Sequence, residues 1–274
     1  MPATDDFPIQ YITLPQGVEY AYIDQGQGEV LLLIHGSMVD HRFWRWQIPA
    51  LSQHYRVIAP SLRHYWPIPM EVNSADFSSE QHAKDMAELL RALGISKAHV
   101  LGHSRAGGVA VKVAHLAPEL TKSLILADPS IRTPDEVKQI KDWLQHSWDL
   151  IQTQGLESGL ANFIDNVSGK DTWDRMVEWF KQMVRDNAHT LAMQRLEEPT
   201  LFKEDKLKAI AKRCPISLIG GGISPDPYPE ILQALQNLIP EATLNFVDKA
   251  THGMNLSHPN KFNQLVLEHL QKYA

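Results

Sequence analysis

Short apolar runs alternate with longer stretches of helical period along this chain. Residues 9–14 and 18–23 are rich in β-branched and aromatic side chains and are bounded by Gly, Pro or Gln, which predicts two early strands joined as a hairpin. Residues 29–34 form a continuous apolar run that stops at His35-Gly36, and similar runs occupy 56–59, 98–101 and 122–127. Strands apolar on both faces suit a buried parallel sheet. Between them, residues 79–93 carry Ala83, Met86, Leu89, Leu90 and Leu93 at helical spacing before Gly94 ends the helix. Strand and helix alternate as an α/β fold requires. From Pro134 to Phe202 the pattern changes: helical periods containing Trp143, Trp148, Phe163, Trp173, Trp179 and Phe180 run on without a strand. The alternation resumes with a strand at 216–219, a helix near 228–238, a strand at 243–247 and a final helix over about 259–271. The pattern predicts one core domain, 1–133 with 203–274, interrupted by an all-helical insertion at 134–202. There is no internal repeat.

A length of 274 residues fits a single core with one sizeable insertion. With 26 Lys and Arg against 32 Asp and Glu the formal charge is −6, and no block of like charge points to nucleic acid. The one cysteine, Cys214, has no second cysteine for a disulfide or a metal pair, which suits a reducing compartment. Residues 1–10 are polar and acidic, without the apolar centre of a signal peptide, and no run of about 18 apolar residues occurs. The expectation is a cytoplasmic monomer or homodimer that meets a small-molecule substrate and neither nucleic acid nor membrane.

The chemistry is carried by a serine. A serine hydroxyl is too weakly acidic to attack a carbonyl unaided, so it needs a neighbouring base, a group that orients the base, and donors for the developing oxyanion. The run Val100-Leu101-Gly102-His103-Ser104-Arg105-Ala106-Gly107-Gly108 sets Ser104 between a predicted strand and a helix, with residues of little bulk two positions to either side. A strained strand-to-helix turn tolerates only such neighbours. Here the chain resembles the α/β-hydrolase superfamily, whose Gly-x-Ser-x-Gly is met with Ala106 in the last position. The resemblance implies a mostly parallel, eight-stranded sheet flanked by helices, with an all-helical cap inserted after the sixth strand. It also implies Ser104 as nucleophile and the backbone N–H of Arg105 as an oxyanion donor. Its sharp motifs cover only residues 35–37, 102–108 and the surroundings of His252.

The same resemblance supplies partners. Leu33-Ile34-His35-Gly36-Ser37 matches the His-Gly-x segment after the third strand, implying the Ser37 N–H as second oxyanion donor. His252, just after the run 243–247, stands where the superfamily has its base, and Pro259 and Phe262 echo the start of its last helix. The acid can follow either of two strands. No glycine in Gly220-Gly221-Gly222-Ile223-Ser224-Pro225-Asp226 has Asp three residues on, whereas Ile125-Leu126-Ala127-Asp128-Pro129 ends a strand in a carboxylate, so Asp128 is preferred over Asp226. No metal or cofactor enters this chemistry.

The insertion's aromatic residues, Trp143 among them, either roof an apolar acyl pocket or fill the insertion's own core. Two aromatic, basic loops, Asp40-His41-Arg42-Phe43-Trp44 and Arg63-His64-Tyr65-Trp66-Pro67, follow strands whose C-terminal ends border the site in such sheets. Their arginines either bind a polar or anionic substrate group or are salt-bridged. His35 is expected to brace its loop and His103 to pack under the elbow; both stand near enough to be counted as substrate contacts with Trp44, Trp66 and Trp143. The leading expectation is a metal-free serine hydrolase that cleaves an ester, lactone or related acyl bond through an acyl-enzyme on Ser104. Asp40-His41-Arg42 and Arg56-Val57-Ile58-Ala59-Pro60 also resemble segments of the cofactor-free 2,4-dioxygenases, which would use the His-Asp dyad to cleave a quinolone-type ring. A third possibility is a small-ligand binding protein on the same fold. Haloalkane or epoxide hydrolysis is disfavoured, since those relatives carry Asp where this chain has Ser104.

Overall fold

The computed structural model describes residues 7–68, 72–132, 137–201 and 203–274. Its centre is one eight-stranded sheet in the order β1-β2-β4-β3-β5-β6-β7-β8. The strands are β1 (Gln10–Thr13), β2 (Glu19–Gln25), β3 (Val30–Ile34), β4 (Arg56–Pro60), β5 (Ala98–His103), β6 (Thr121–Ala127), β7 (Ile216–Gly221) and β8 (Thr243–Val247). β1 and β2 pair antiparallel, as does β2 with β4, and every later pairing is parallel.

Both faces of this sheet are covered, which is why its strands read as unbroken apolar runs. Side chains alternate between faces along a strand, so Leu31 and Leu33 of β3 enter one apolar cluster while Val30, Leu32 and Ile34 enter the other. Helices Ser79–Ala92, Arg105–Leu116 and Tyr228–Leu238 cover the face of Leu32 through residues such as Met86, Leu90, Val109, Val113 and Leu232. Helix Pro259–Lys272 covers the other through Phe262, Val266 and Leu270, together with Trp44, Ile48 and Leu51. Burial of one such leucine contributes roughly 1.5–3 kcal/mol.

β5 and β7 run two residues past the apolar stretches that mark them in the sequence. The parallel ladder continues through Gly102 opposite Leu126 and His103 opposite Ala127, and through Gly221 opposite Val247. Backbone pairing there does not depend on apolar side chains. Residues 137–201 contain helices Val137–Gln154, Leu156–Ser168, Thr172–Arg175, Glu178–Asp186 and Leu191–Gln194 between β6 and β7. The ends expected for this segment, Pro134 and Phe202, lie outside the described residues, as do positions 1–6 of the N-terminal stretch. No helix among the described residues is long and apolar enough to cross a membrane.

One contact sets the position of everything at the end of β5. A Cβ added to Gly102 would lie 2.2 Å from the Ala106 carbonyl oxygen and 2.9 Å from the Ala110 Cβ, because the next helix turns back directly over the strand end. One added to Gly107 would lie 2.4 Å from Pro129 Cβ, on the loop after β6. Gly102→Ala is therefore expected to destabilise the fold by about 1–3 kcal/mol through overpacking, read as a lower urea midpoint with an unchanged m-value. Wild-type stability in this variant would show that the helix start can shift away.

Candidate active site

Ser104 occupies the turn between β5 and helix Arg105–Leu116 with φ 57° and ψ −127°, a conformation that a residue with a side chain seldom adopts. It is held there on two sides. Its N–H donates to Ala127 O at 2.9 Å, and its carbonyl accepts from Ser130 N–H at 2.9 Å. The elbow is thus tied to the end of β6, where Asp128 stands.

Asp128 is fully buried at φ 39°, and its N–H donates to Ile219 O on β7 at 2.9 Å. Its Oδ2 accepts from Ser224 Oγ at 2.6 Å and lies 3.2 Å from His252 Nδ1. This contact requires the tautomer in which Nδ1 carries the proton, leaving Nε2 as the basic nitrogen. Asp226, the alternative acid, makes no hydrogen bond to His252 among the described residues. Burial pushes the Asp128 carboxyl up to about 6, opposed by the Ser224 hydroxyl. Burial also pushes His252 down to about 3, and the Arg132 charge acts in the same direction. The imidazole is accordingly neutral across the physiological range.

The loop after β3 lies against the serine: a Cβ on Gly36 would sit 3.0 Å from Ser104 Cβ. Ser37 follows and borders both cavities that open on Ser104. His35 is fully buried and bonded through both ring nitrogens, Nδ1 donating to Gly36 O at 2.9 Å and Nε2 accepting from Leu62 N–H at 2.9 Å. It braces the loop, and its inclusion among the substrate contacts is corrected. His103 donates from Nε2 to His252 O at 2.8 Å, and its ring lies 4.5 Å from that of His252 and 4.9 Å from Phe43. Burial holds it down to about 3, so it is a neutral packing group on the wall of one cavity.

The remaining expected contacts divide. Trp143 packs on Phe163 at 5.4 Å and borders a cavity with Ser104. Trp44 is fully buried in the core beside Phe43, so its substrate role is corrected. Trp66 is likewise absent from the walls at Ser104; its ring lies under the Arg42 guanidinium at 3.8 Å and its backbone N–H donates to Asn187 Oδ1 at 2.8 Å. The loop arginines are salt-bridged. Arg42 binds Asp40 at 2.6 Å and Asp186 at 2.8 Å, while Arg63 grips buried Asp85 through two nitrogens at 2.8 Å each.

Several residues that no sequence signal marked complete the site. Tyr228, first in its helix, stacks on His252 with ring centroids 4.1 Å apart and planes 17° from parallel. Its phenol shares a cavity with Ser104 and Arg132, and both act on its ionisation; among the described residues no hydrogen bond joins Ser104 to His252. The Arg105 side chain forms a buried two-pronged pair with Glu197, Nε to Oε2 at 2.6 Å and Nη2 to Oε1 at 2.8 Å, and Glu197 also accepts from Ser79 Oγ at 2.6 Å. Ser104 lies between two small cavities. One, of about 50 Å³, is apolar, with Val39, Phe43, Ile164, Met176, Phe180 and Leu256 beside His252. The other, of about 40 Å³, is mixed, with Arg132, Gln194, Glu197 and Tyr228 beside Ile140, Trp143, Leu144 and Phe163. Among the described residues no group of three or more His, Cys, Asp and Glu is gathered as metal ligands would be.

Comparison with known proteins agrees with this architecture. A family model described as alpha/beta hydrolase fold matches residues 29–259. "Putative carbamate hydrolase RutD" of Stutzerimonas stutzeri is 28% identical over 254 residues, 88% of this chain and 91% of that protein. Bifunctional epoxide hydrolase 2 of Mus musculus is 30% identical over 126 residues, 46% of this chain but only 23% of that longer protein. The crystal structure of the enol-lactonase from Burkholderia xenovorans LB400 superposes with a TM-score of 0.80 at 19% identity, covering 96% of this chain and all of that one (100%).

The Arg105–Glu197 pair is buried on both sides, at 8% and 6% exposure, so removing one partner strands a charge. Glu197→Ala is expected to cost about 3–5 kcal/mol of folding stability, measured by equilibrium urea unfolding. A loss below about 1 kcal/mol would mean that water replaces the carboxylate.

Proposed function

Because the chain belongs to the alpha/beta hydrolase fold family, we propose that it hydrolyses an ester, lactone or related acyl bond of a small substrate through an acyl-enzyme on Ser104. The observation that carries this reading is the meeting of Ser104, at its strained elbow, with the Asp128–His252 pair and the Gly36–Ser37 loop around one pair of cavities.

In the reaction, Ser104 Oγ attacks the acyl carbon while its proton passes to His252 Nε2. The carbonyl electron pair moves to oxygen and is met by the backbone N–H groups of Ser37 and Arg105. The Arg105 N–H suits this task because it belongs to the first turn of a helix, whose leading N–H groups have no partner within the helix. The imidazolium hydrogen-bonds to Asp128 until it returns the proton to the leaving group. Water then adds to the acyl-enzyme by the same route, its proton going to His252, and the C–Oγ bond breaks as Ser104 recovers a proton. The two cavities favour a substrate with a compact apolar part on the Phe43 and Phe180 side and a hydrogen-bonding part on the Gln194 side. Carbamates and enol-lactones, named for two of the relatives, both offer such an acyl carbon.

A fluorophosphonate probe and short p-nitrophenyl esters test the proposal. Wild type should label and turn over, and Ser104→Ala should do neither. If Ser104→Ala keeps its turnover while His252→Ala loses it and oxygen is consumed on heteroaromatic substrates, a ring-cleaving dioxygenase replaces the hydrolase. Asp128→Asn should lower kcat by about 10²–10⁴, since the asparagine cannot stabilise imidazolium.

The pH profile follows from the same pair. Catalysis needs neutral His252 and ionised Asp128. Falling pH protonates Asp128 near 6 while His252 stays neutral until about 3. The kcat/KM should therefore fall below pH 6 and be level above about 7, and Asp128→Asn should remove that limb. A profile unchanged in Asp128→Asn would assign the limb to another group.

A further inference from the structure

The phenol beside Ser104 is not needed for packing. Tyr228 is 3% exposed and lies flat against one face of the His252 ring, 4.1 Å away and within 17° of parallel. A phenylalanine would make the same stack. A buried hydroxyl is tolerated only when it finds a partner, since leaving it unmade costs about 1–3 kcal/mol. Ser104 and Arg132 line the same cavity and both act on the ionisation of the phenol, and the Arg132 guanidinium carbon lies 5.9 Å from the ring centroid. Tyr228 also borders the mixed cavity with Ser104 and Ser37. The tyrosine therefore stacks on the candidate base with its ring and opens on the same cavity as the nucleophile.

We propose that Tyr228 is a further catalytic residue, whose phenol donates a hydrogen bond to Ser104 Oγ whenever that oxygen carries negative charge, and whose ring fixes the plane of His252. This rests on the hydrolase reading of Ser104. Ser104 has one hydroxyl proton. Once that proton is aimed at His252 Nε2, only the oxygen's lone pairs remain to meet Tyr228, so the phenol must be the donor. On attack the Ser104 proton goes to His252 Nε2 as the Oγ–C bond forms, and Tyr228 keeps its own proton throughout. On deacylation the C–Oγ bond breaks, its electron pair stays on Oγ, and the same donor supports the departing oxygen until His252 returns a proton. Burial pushes the Tyr228 phenol up to about 12, so it remains protonated and acts as a donor rather than a base. The ring face opposes rotation of the imidazole, which Asp128 holds only at Nδ1.

Tyr228→Phe keeps the stack and removes only the hydroxyl. The rate of fluorophosphonate labelling at Ser104 and kcat on p-nitrophenyl acetate should each fall roughly hundredfold, the lower end for a lost donor at a developing charge. KM and Tm should change little, which separates a catalytic role from a structural one. Labelling and kcat within twofold of wild type would overturn the role of Tyr228 and leave the hydrolase intact. Failure of the wild type to label at Ser104 would overturn both. Should Tyr228→Phe fold poorly, fluorinated tyrosine at position 228 retains ring and hydroxyl while making the phenol more acidic. The labelling rate should then vary steadily with phenol acidity at a pH where the phenol stays protonated, and a flat response would overturn the proposal.

Discussion

The close approach between the end of β5 and the helix that follows it governs this site. With no Cβ at Gly102, the Ala106 carbonyl closes over the strand end, and Ser104 between them is left at φ 57° with its side chain lifted out of the turn. Such a conformation costs of order 1–3 kcal/mol and persists only where the surroundings over-determine it. Here they do: the Ser104 N–H and carbonyl are bonded to the chain on either side of Asp128, and Gly107 lies against Pro129 just beyond it. The same contacts that strain the serine therefore set its distance to the carboxylate and, through Asp128, to His252.

A second constraint comes from burying so many ionisable groups around one serine. His35, His103, Asp128, Arg105 and His252 are all at least nine-tenths buried. Each is accommodated differently. His35 uses both nitrogens on backbone, Arg105 is matched by Glu197, and the Asp128–His252 pair is pushed toward neutrality from both sides. Low polarisability here makes every remaining interaction stronger, which favours charge that exists only during reaction and is met by fixed donors. Glu197, which follows helix Leu191–Gln194, also binds the start of helix Ser79–Ala92 through Ser79, so one carboxylate joins the elbow to two other parts of the chain.

Much of the architecture was legible in the sequence, and the reason is local. Apolar runs of strand length buried on both faces, alternating with helical periods, are the signature of a covered parallel sheet, and β3, β4 and β6 lie where those runs fall. The strand ends were less legible because Gly102, His103, Gly220 and Gly221 pair through backbone without contributing apolar side chains. Gly102 and Ser104 were readable because a strained turn restricts its neighbours within a few residues. Trp44, Trp66, Arg42 and Arg63 were readable as aromatic and basic but not as to what they touch, and their partners lie up to 144 residues away in the chain.

Taken by itself, the sequence determined the order of strands and helices, the strained serine turn and two strand-end positions for the acid, with Asp128 preferred over Asp226. Those depend on residue size and periodicity over short distances. Tertiary structure alone decided that the Asp128 carboxylate reaches His252, that Ser224 shares its Oδ2 with the imidazole, and that Tyr228 covers the ring. These contacts join loops from β6, β7 and β8 that become neighbours only when the parallel sheet brings its strand ends side by side. No local pattern encodes that proximity, because each residue is chosen against a partner some twenty to more than a hundred positions away in the chain.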